Sequence, residues 1–192
     1  MKTFLRLVLL ATFVVTASAA EEIPAHPHVK IETTEGVIVL ELDGRRAPIT
    51  VYRFLQLVDS GYYDGTVFHR VIPGFMAQGG GFTPSLTKKE APEPIANESG
   101  NGLQNKRGTI AMARLGEPHT ASNQFFINVA DNKSLNPQRD RWGYAVFGEV
   151  IEGMDVVNKI VKVKTGPAGQ FPSDVPVVPV VIEKMSRFRY GE

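Results

Sequence analysis

The stretch Thr66-Val67-Phe68-His69-Arg70-Val71-Ile72-Pro73-Gly74-Phe75-Met76-Ala77-Gln78-Gly79-Gly80 decides how this chain is read. A run of strand-forming residues at 66–72 meets the turn signal Pro73-Gly74, and a second short run follows at 75–78. Comparable short runs recur at 109–113, 124–129 and 145–150, with glycines and prolines between them. That spacing predicts an all-β barrel or sandwich rather than repeated strand–helix units. Upstream, Val29-Lys30-Ile31-Glu32-Thr33 alternates apolar and polar residues, Glu35-Gly36 signals a turn, and 37–42 gives a second strand, so the two form a hairpin. Pro48 opens a helix whose Val51, Phe54, Leu55 and Val58 form one apolar stripe, with Gly61 to close it. Residues 154–161 give a second short helix, and 177–188 a last strand with Pro179 near its start. Residues 83–105, rich in Pro, Asn, Gly and charge, read as a long, structured surface loop with a functional role.

Composition narrows the chemistry. The chain has 192 residues, net charge +1, 43% apolar and 21% charged residues, and no cysteine. These values describe a globular protein that stands on its core, without disulfides, thiolate metal sites or a cysteine nucleophile. Near-neutral charge speaks against nucleic acid as a partner. The four histidines (His26, His28, His69 and His119) make no helical metal pair, so no metal is expected. Gly79-Gly80-Gly81 lacks the lysine and hydroxyl residue of a phosphate loop, so no cofactor is expected either. No serine sits in a nucleophile-elbow pattern, and no paired carboxylates stand out. A secreted hydrolase is therefore the weakest reading.

Residues 1–20 read as a secretory signal: Lys2 and Arg6, a short apolar run at 7–15, and Ala17-Ser18-Ala19-Ala20 as the exit. The apolar run is too short to span a bilayer. Cleavage after Ala19 or Ala20 takes the basic count from 21 to 19 against 20 acids. The expected mature protein is a single domain, 21–192, periplasmic, and without stable membrane association. No repeat or linker divides it.

Strict alternation before Pro73 puts Phe68, Arg70 and Ile72 on one face, with His69 and Val71 on the other. An arginine among apolar neighbours is costly unless its guanidinium is bonded or used; a snorkelling arginine at a barrel rim is the plain alternative. Phe75 and Met76 suit a core as well as a site. Ala111 and Ala113 leave one strand face open, Phe125 and Phe126 point to opposite faces, and Tyr144 brings a phenol with a polar handle.

Residues 68–80, Gln124-Phe125-Phe126-Ile127 and Val146-Phe147-Gly148, in that order, resemble the cyclophilin family of peptidyl-prolyl cis–trans isomerases. Gly79-Gly80-Gly81-Phe82-Thr83, Ala111-Met112-Ala113-Arg114 and Gly143-Tyr144-Ala145-Val146-Phe147 resemble its bacterial, periplasmic type. The likeness covers the chain from about residue 29 to 182. It implies a mainly β fold: an eight-stranded, antiparallel closed barrel capped by two α-helices, with the groove on its outer face. It implies a monomer that acts on proline-containing segments of unfolded or partly folded proteins. It further implies that Arg70 is catalytic, that Phe75, Met76, Phe126 and Leu135 wall the proline pocket, and that Gln78 orients the substrate backbone. The main chain of Arg114 would pair with the peptide, Ala113 and Gln124 would border the groove, and Tyr144 would donate a hydrogen bond. The family's aromatic residue before the leucine is absent, since Ser134 stands there. That departure puts cyclosporin sensitivity in doubt and leaves a chaperone-like proline-peptide binder as the alternative to catalysis.

Overall fold

In the structure, a computed structural model that describes residues 25–189, two helices cap a closed barrel. The segment 1–20, which reads as a secretory signal, lies outside the described residues. The first hairpin pairs β1 (His28–Thr33) with β2 (Gly36–Leu42), from His28↔Glu41 to Thr33↔Gly36. Gly36, at φ 135°, makes the turn, and a Cβ there would stand 2.8 Å from a Val156 methyl, so helix and hairpin approach as closely as glycine allows. The remaining barrel strands are β3 (Thr66–Ile72), β4 (Met76–Gly79), β5 (Thr109–Met112), β6 (Phe125–Asn128) and β7 (Val146–Glu152). The chain then adds β8 (Thr165–Ala168), β9 (Phe171–Pro176) and β10 (Val181–Phe188). Order round the barrel is β1-β10-β3-β4-β6-β5-β7-β2, with every pairing antiparallel.

Helix α1 (Pro48–Asp59) lays Val51, Phe54, Leu55 and Val58 on the barrel, and α2 (Met154–Ile160) lays Val156, Val157 and Ile160. No local side chain caps α1. Glu98, 48 residues downstream, instead accepts hydrogen bonds from the backbone N–H groups of Thr50 (2.8 Å) and Ile49 (3.1 Å). The 83–105 loop is thus anchored to the fold as well as placed near the site. Around Phe125, the rings of Phe54, Tyr63 and Phe68 lie 5.5–6.0 Å away in edge-to-face contact. Burial holds the Tyr63 phenol well above its usual pKa, and its hydroxyl donates to the Asn123 carbonyl at 2.9 Å.

Two sequence expectations need correction. The last strand begins at Val181 rather than 177; Pro179 cannot donate to a ladder, and Val177 and Val178 are 60% and 76% exposed. The hairpin β8–β9 was not expected at all, because Pro167, Pro172 and Pro176 disguise it. It packs on β3, beside Arg70.

Candidate active site

The interior of β3 departs from strict alternation, and the departure builds the site. Phe68 pairs with Gly79 and Arg70 with Gln78, so two residues of β3 advance against one of β4. His69 is the extra residue of a β-bulge, which resets the side-chain phase. Phe68 and Val71 point into the core, each 1% exposed, while Arg70 and Ile72 face outward. The expected sharing of one face by Phe68 and Arg70 is therefore wrong: period-2 reasoning cannot anticipate an inserted residue.

Outside the barrel, Met76, Ala111, Phe126 and Val146 form a second apolar cluster, joined by Ile72, Phe75, Ala113, Leu135 and Tyr144. It floors an open cleft of about 500 Å³. Arg70, Phe75, Met76, Gln78 and Ala113 line that cleft, and so do Arg114, Gln124, Phe126, Leu135 and Tyr144. All ten residues singled out from sequence stand round one opening. A second cleft, of about 560 Å³, lies across β2 and β7; Glu41, Arg46, Lys106 and Glu149 give its wall charges of both signs. The first cleft has the character of a small-ligand site, with apolar walls and few convergent polar groups.

Each wall is held from behind. The Phe75 carbonyl accepts from the Val129 N–H (3.0 Å) and from Asn132 Nδ2 (2.8 Å). Asn132 Nδ2 also donates to Asn128 Oδ1 at 2.6 Å, and Asn128 Nδ2 donates to Asn105 Oδ1 at 3.2 Å. Asn105 Nδ2 in turn reaches the carbonyls of Leu135 and Tyr144, each at 3.3 Å. This asparagine network was not identified from sequence. Asn105 and Asn132 lie in loops, where asparagine ordinarily reads as a turn former, and Asn128 at the end of β6 reads as a strand boundary. Gln78 Nε2 donates to Gln124 Oε1 at 3.0 Å, fixing one amide against the other. Phe126 meets Tyr144 edge to face at 5.6 Å.

The Arg70 side chain is 42% exposed, and its Nε lies 3.8 Å from Asp174 Oδ2 on the β8–β9 hairpin. That distance exceeds hydrogen-bond length, and both groups are open to water, so the pair binds the guanidinium only weakly. Asp174 has a φ of 66°, unusual for a residue other than glycine. Ser134, where the sequence resemblance implies an aromatic ring, is exposed, and its carbonyl accepts from Arg141. Trp142 does not substitute for that ring; it packs on His119 at 5.2 Å and is absent from the cleft lining.

His69, Phe82, Lys88, Leu115, Gln170 and Phe171 also line the cleft and were not singled out from sequence. The His69 ring is 2% exposed, with Phe82 at 4.6 Å and Phe171 at 5.4 Å. Burial, together with the nearby Arg70 charge, lowers its pKa from 6.5 to about 4. The folded protein holds this ring neutral where the unfolded chain protonates it, so the unfolded state binds more protons between pH 6.5 and 4. The associated stability is complete above pH 6.5 and is lost on acidification through that window. Between pH 7 and pH 5 this group should cost the fold roughly 2 kcal/mol. Urea unfolding of wild type and His69→Phe at the two pH values tests it: the loss should shrink by about that amount in the variant. An equal loss in both would exclude His69 as the source.

The cyclophilin type peptidyl-prolyl cis-trans isomerase family model matches residues 28–187. The chain is 56% identical over 158 residues to the peptidyl-prolyl cis-trans isomerase cyp18 of Streptomyces antibioticus, covering 81% of this chain and 95% of that protein. It is 51% identical over 161 residues to peptidyl-prolyl cis-trans isomerase B of Escherichia coli (strain K12), covering 82% and 98%. Among solved structures, a cyclophilin type peptidyl-prolyl cis-trans isomerase of Cryptosporidium parvum superposes with TM-score 0.72 at 29% identity, covering 85% of this chain and 98% of that one. The same protein solved in the presence of the dipeptide Ala-Pro superposes at 0.71 and 29% identity, covering 84% and 99%.

Proposed function

Because the chain belongs to the cyclophilin-type peptidyl-prolyl cis–trans isomerases, and so catalyses rotation about X–Pro bonds, we propose that Arg70 performs the catalysis by favouring the twisted imide. The supporting observation is a partly exposed guanidinium on the rim of the same cleft that Phe75, Met76, Phe126 and Leu135 wall with apolar surface.

Resonance gives the peptide bond a rotational barrier of ~18–20 kcal/mol. The two X–Pro isomers differ by only about 0.5–1 kcal/mol, yet exchange over tens to hundreds of seconds. No bond breaks, so no nucleophile, oxidant or phosphate donor enters the step. What accelerates rotation is tighter binding of the half-rotated imide than of either planar form. On rotation the prolyl nitrogen loses conjugation and regains a lone pair. A guanidinium N–H beside that nitrogen then has an acceptor that neither planar isomer offers, so the interaction strengthens only on the way to the transition state. The apolar walls hold the pyrrolidine ring while the preceding carbonyl swings. Gln78, buttressed by Gln124, and the main chain of Arg114 hold the flanking backbone, with Tyr144 as a further donor. Water exclusion from the slot adds a minor contribution by disfavouring the more polar planar amide.

The same reading places the enzyme in the periplasm as a monomer, acting on prolyl segments of newly secreted proteins. Its support is the signal-like 1–20 segment and relatives that come from bacteria. NMR exchange broadening of an Ala-Pro peptide tests the catalytic part, with Arg70→Lys beside wild type. Lysine keeps the charge but loses the planar fork, so broadening should largely vanish. Undiminished broadening in Arg70→Lys removes the guanidinium from the mechanism. Cell fractionation tests the location: recovery of full-length chain in the cytoplasm contradicts it.

A further inference from the structure

We propose that the side chain of Arg114 is a positioning residue: a planar tie between the two loops that form the rim of the proline slot. The inference rests on reading that slot as the proline site, and concerns a side chain to which the mechanism above gives no part.

Arg114 stands just beyond β5, where the chain leaves the barrel toward the cleft. Its Nη1 donates to the carbonyls of Leu115 and Gly116, each at 2.9 Å. Its Nη2 donates to the Trp142 carbonyl at 2.8 Å, and its Nε to the Gly143 carbonyl at 3.2 Å. The guanidinium lies over the Tyr144 ring, with Cζ 4.6 Å from the ring centroid. One guanidinium thus satisfies two carbonyls on each of two loops, and its face supports a ring that lines the cleft. Tyr144 meets Phe126 edge to face on its way to the slot. Phe126, Tyr144 and Arg114 therefore form a row of three contacting groups ending in a cation held by carbonyl dipoles.

The receiving loop is fixed for this purpose. Gly143 is buried, and a Cβ there would lie 2.4 Å from the Pro137 nitrogen, so only glycine fits. Its N–H donates to Ser99 Oγ at 3.1 Å, and its carbonyl accepts from Asn97 Nδ2 at 3.0 Å as well as from Arg114. The long 83–105 loop therefore takes the N–H of Gly143 through Ser99 and shares its carbonyl, through Asn97, with Arg114. Ser134 leaves the slot without the aromatic ring that the family resemblance implies beside Leu135, so the rim depends more on Tyr144.

Lysine cannot reproduce this tie. Its ammonium is a single point with three donors, and it offers no flat face to Tyr144. A rim that shapes the slot contacts the proline ring alike in the planar and twisted forms. Its loss should therefore raise KM and leave kcat nearly unchanged, the opposite of an Arg70 substitution.

Trp142 is the only tryptophan in the chain, so its fluorescence reports directly on the loop that Arg114 holds. The experiment measures kcat and KM on an Ala-Pro peptide, together with acrylamide quenching of Trp142, in wild type, Arg114→Lys, Arg114→Ala and Phe126→Ala. The expected result is about a tenfold rise in KM with kcat within about twofold for both Arg114 variants. Quenching should rise in parallel. Should Arg114→Ala fail to fold, Arg114→Lys, which keeps the stem and charge, carries the test. Freed Trp142 with unchanged KM would overturn the proposal, as would unchanged quenching, or a fall in kcat alone. An unchanged KM in Phe126→Ala would instead overturn the reading of the slot as the proline site.

Discussion

Arg70→Ala should lower kcat on an Ala-Pro peptide by about 100- to 1000-fold, the cost of removing one preorganised donor aimed at transition-state charge (~2.7–4 kcal/mol). KM should stay within about twofold, because the planar isomers gain little from the guanidinium. Stability should hardly move. The side chain is 42% exposed and its ion pair with Asp174 is long and open to water. Arg70→Lys should fall between wild type and alanine, nearer alanine. Steady-state kinetics with a urea midpoint for each variant separates loss of chemistry from loss of fold. A kcat near that of wild type in Arg70→Ala would discard the role assigned to this residue.

The neighbouring phenylalanines of β6 should fail in opposite ways. Phe125 is fully buried, against Phe54, Tyr63 and Phe68; Phe126 is 4% exposed and belongs to the outer cluster with Met76 and Val146. Phe125→Ala should cost about 3–5 kcal/mol of stability, since it opens a cavity that the surrounding rings cannot collapse to fill. Phe126→Ala borders an open cleft that water can enter, so its cost should be roughly 1–2 kcal/mol. Its larger effect is on the substrate, through loss of the proline ring's contact surface and a rise in KM. Urea unfolding and KM on the same two proteins decide the matter. Equal destabilisation with unaltered KM in both would show that strand phase does not separate core from site.

Most of the barrel was legible because its signals are local. Alternation over residues 29–33, the Glu35-Gly36 turn, Pro48 with its apolar stripe, and the opposed phenylalanines on β6 each follow from neighbours in the sequence. What was hidden depends on distant partners or on inserted residues. The bulge at His69 reverses the phase of β3, and only the pairing of Arg70 with Gln78 exposes it. The cap on α1 comes from Glu98, far down the chain. The hairpin β8–β9 carries prolines that argue against strands, yet it brings Asp174 and Phe171 beside the cleft. The candidate site residues came from motif resemblance in three separated segments; the spacing of residues alone offered an arginine and an apolar strand face, with a rim arginine as the plain alternative.

The central claim concerns a bond at mid-rotation, so the decisive quantity is the exchange rate of peptide already bound. Two-dimensional NMR exchange at saturating Ala-Pro peptide gives the forward and reverse rates on the enzyme, with the affinities of the cis and trans forms measured alongside. In Arg70→Ala both rates should fall by the same large factor while both affinities hold. Bound-state rates that persist while the affinities collapse would make Arg70 a handle for the substrate and leave the rotation to some other group.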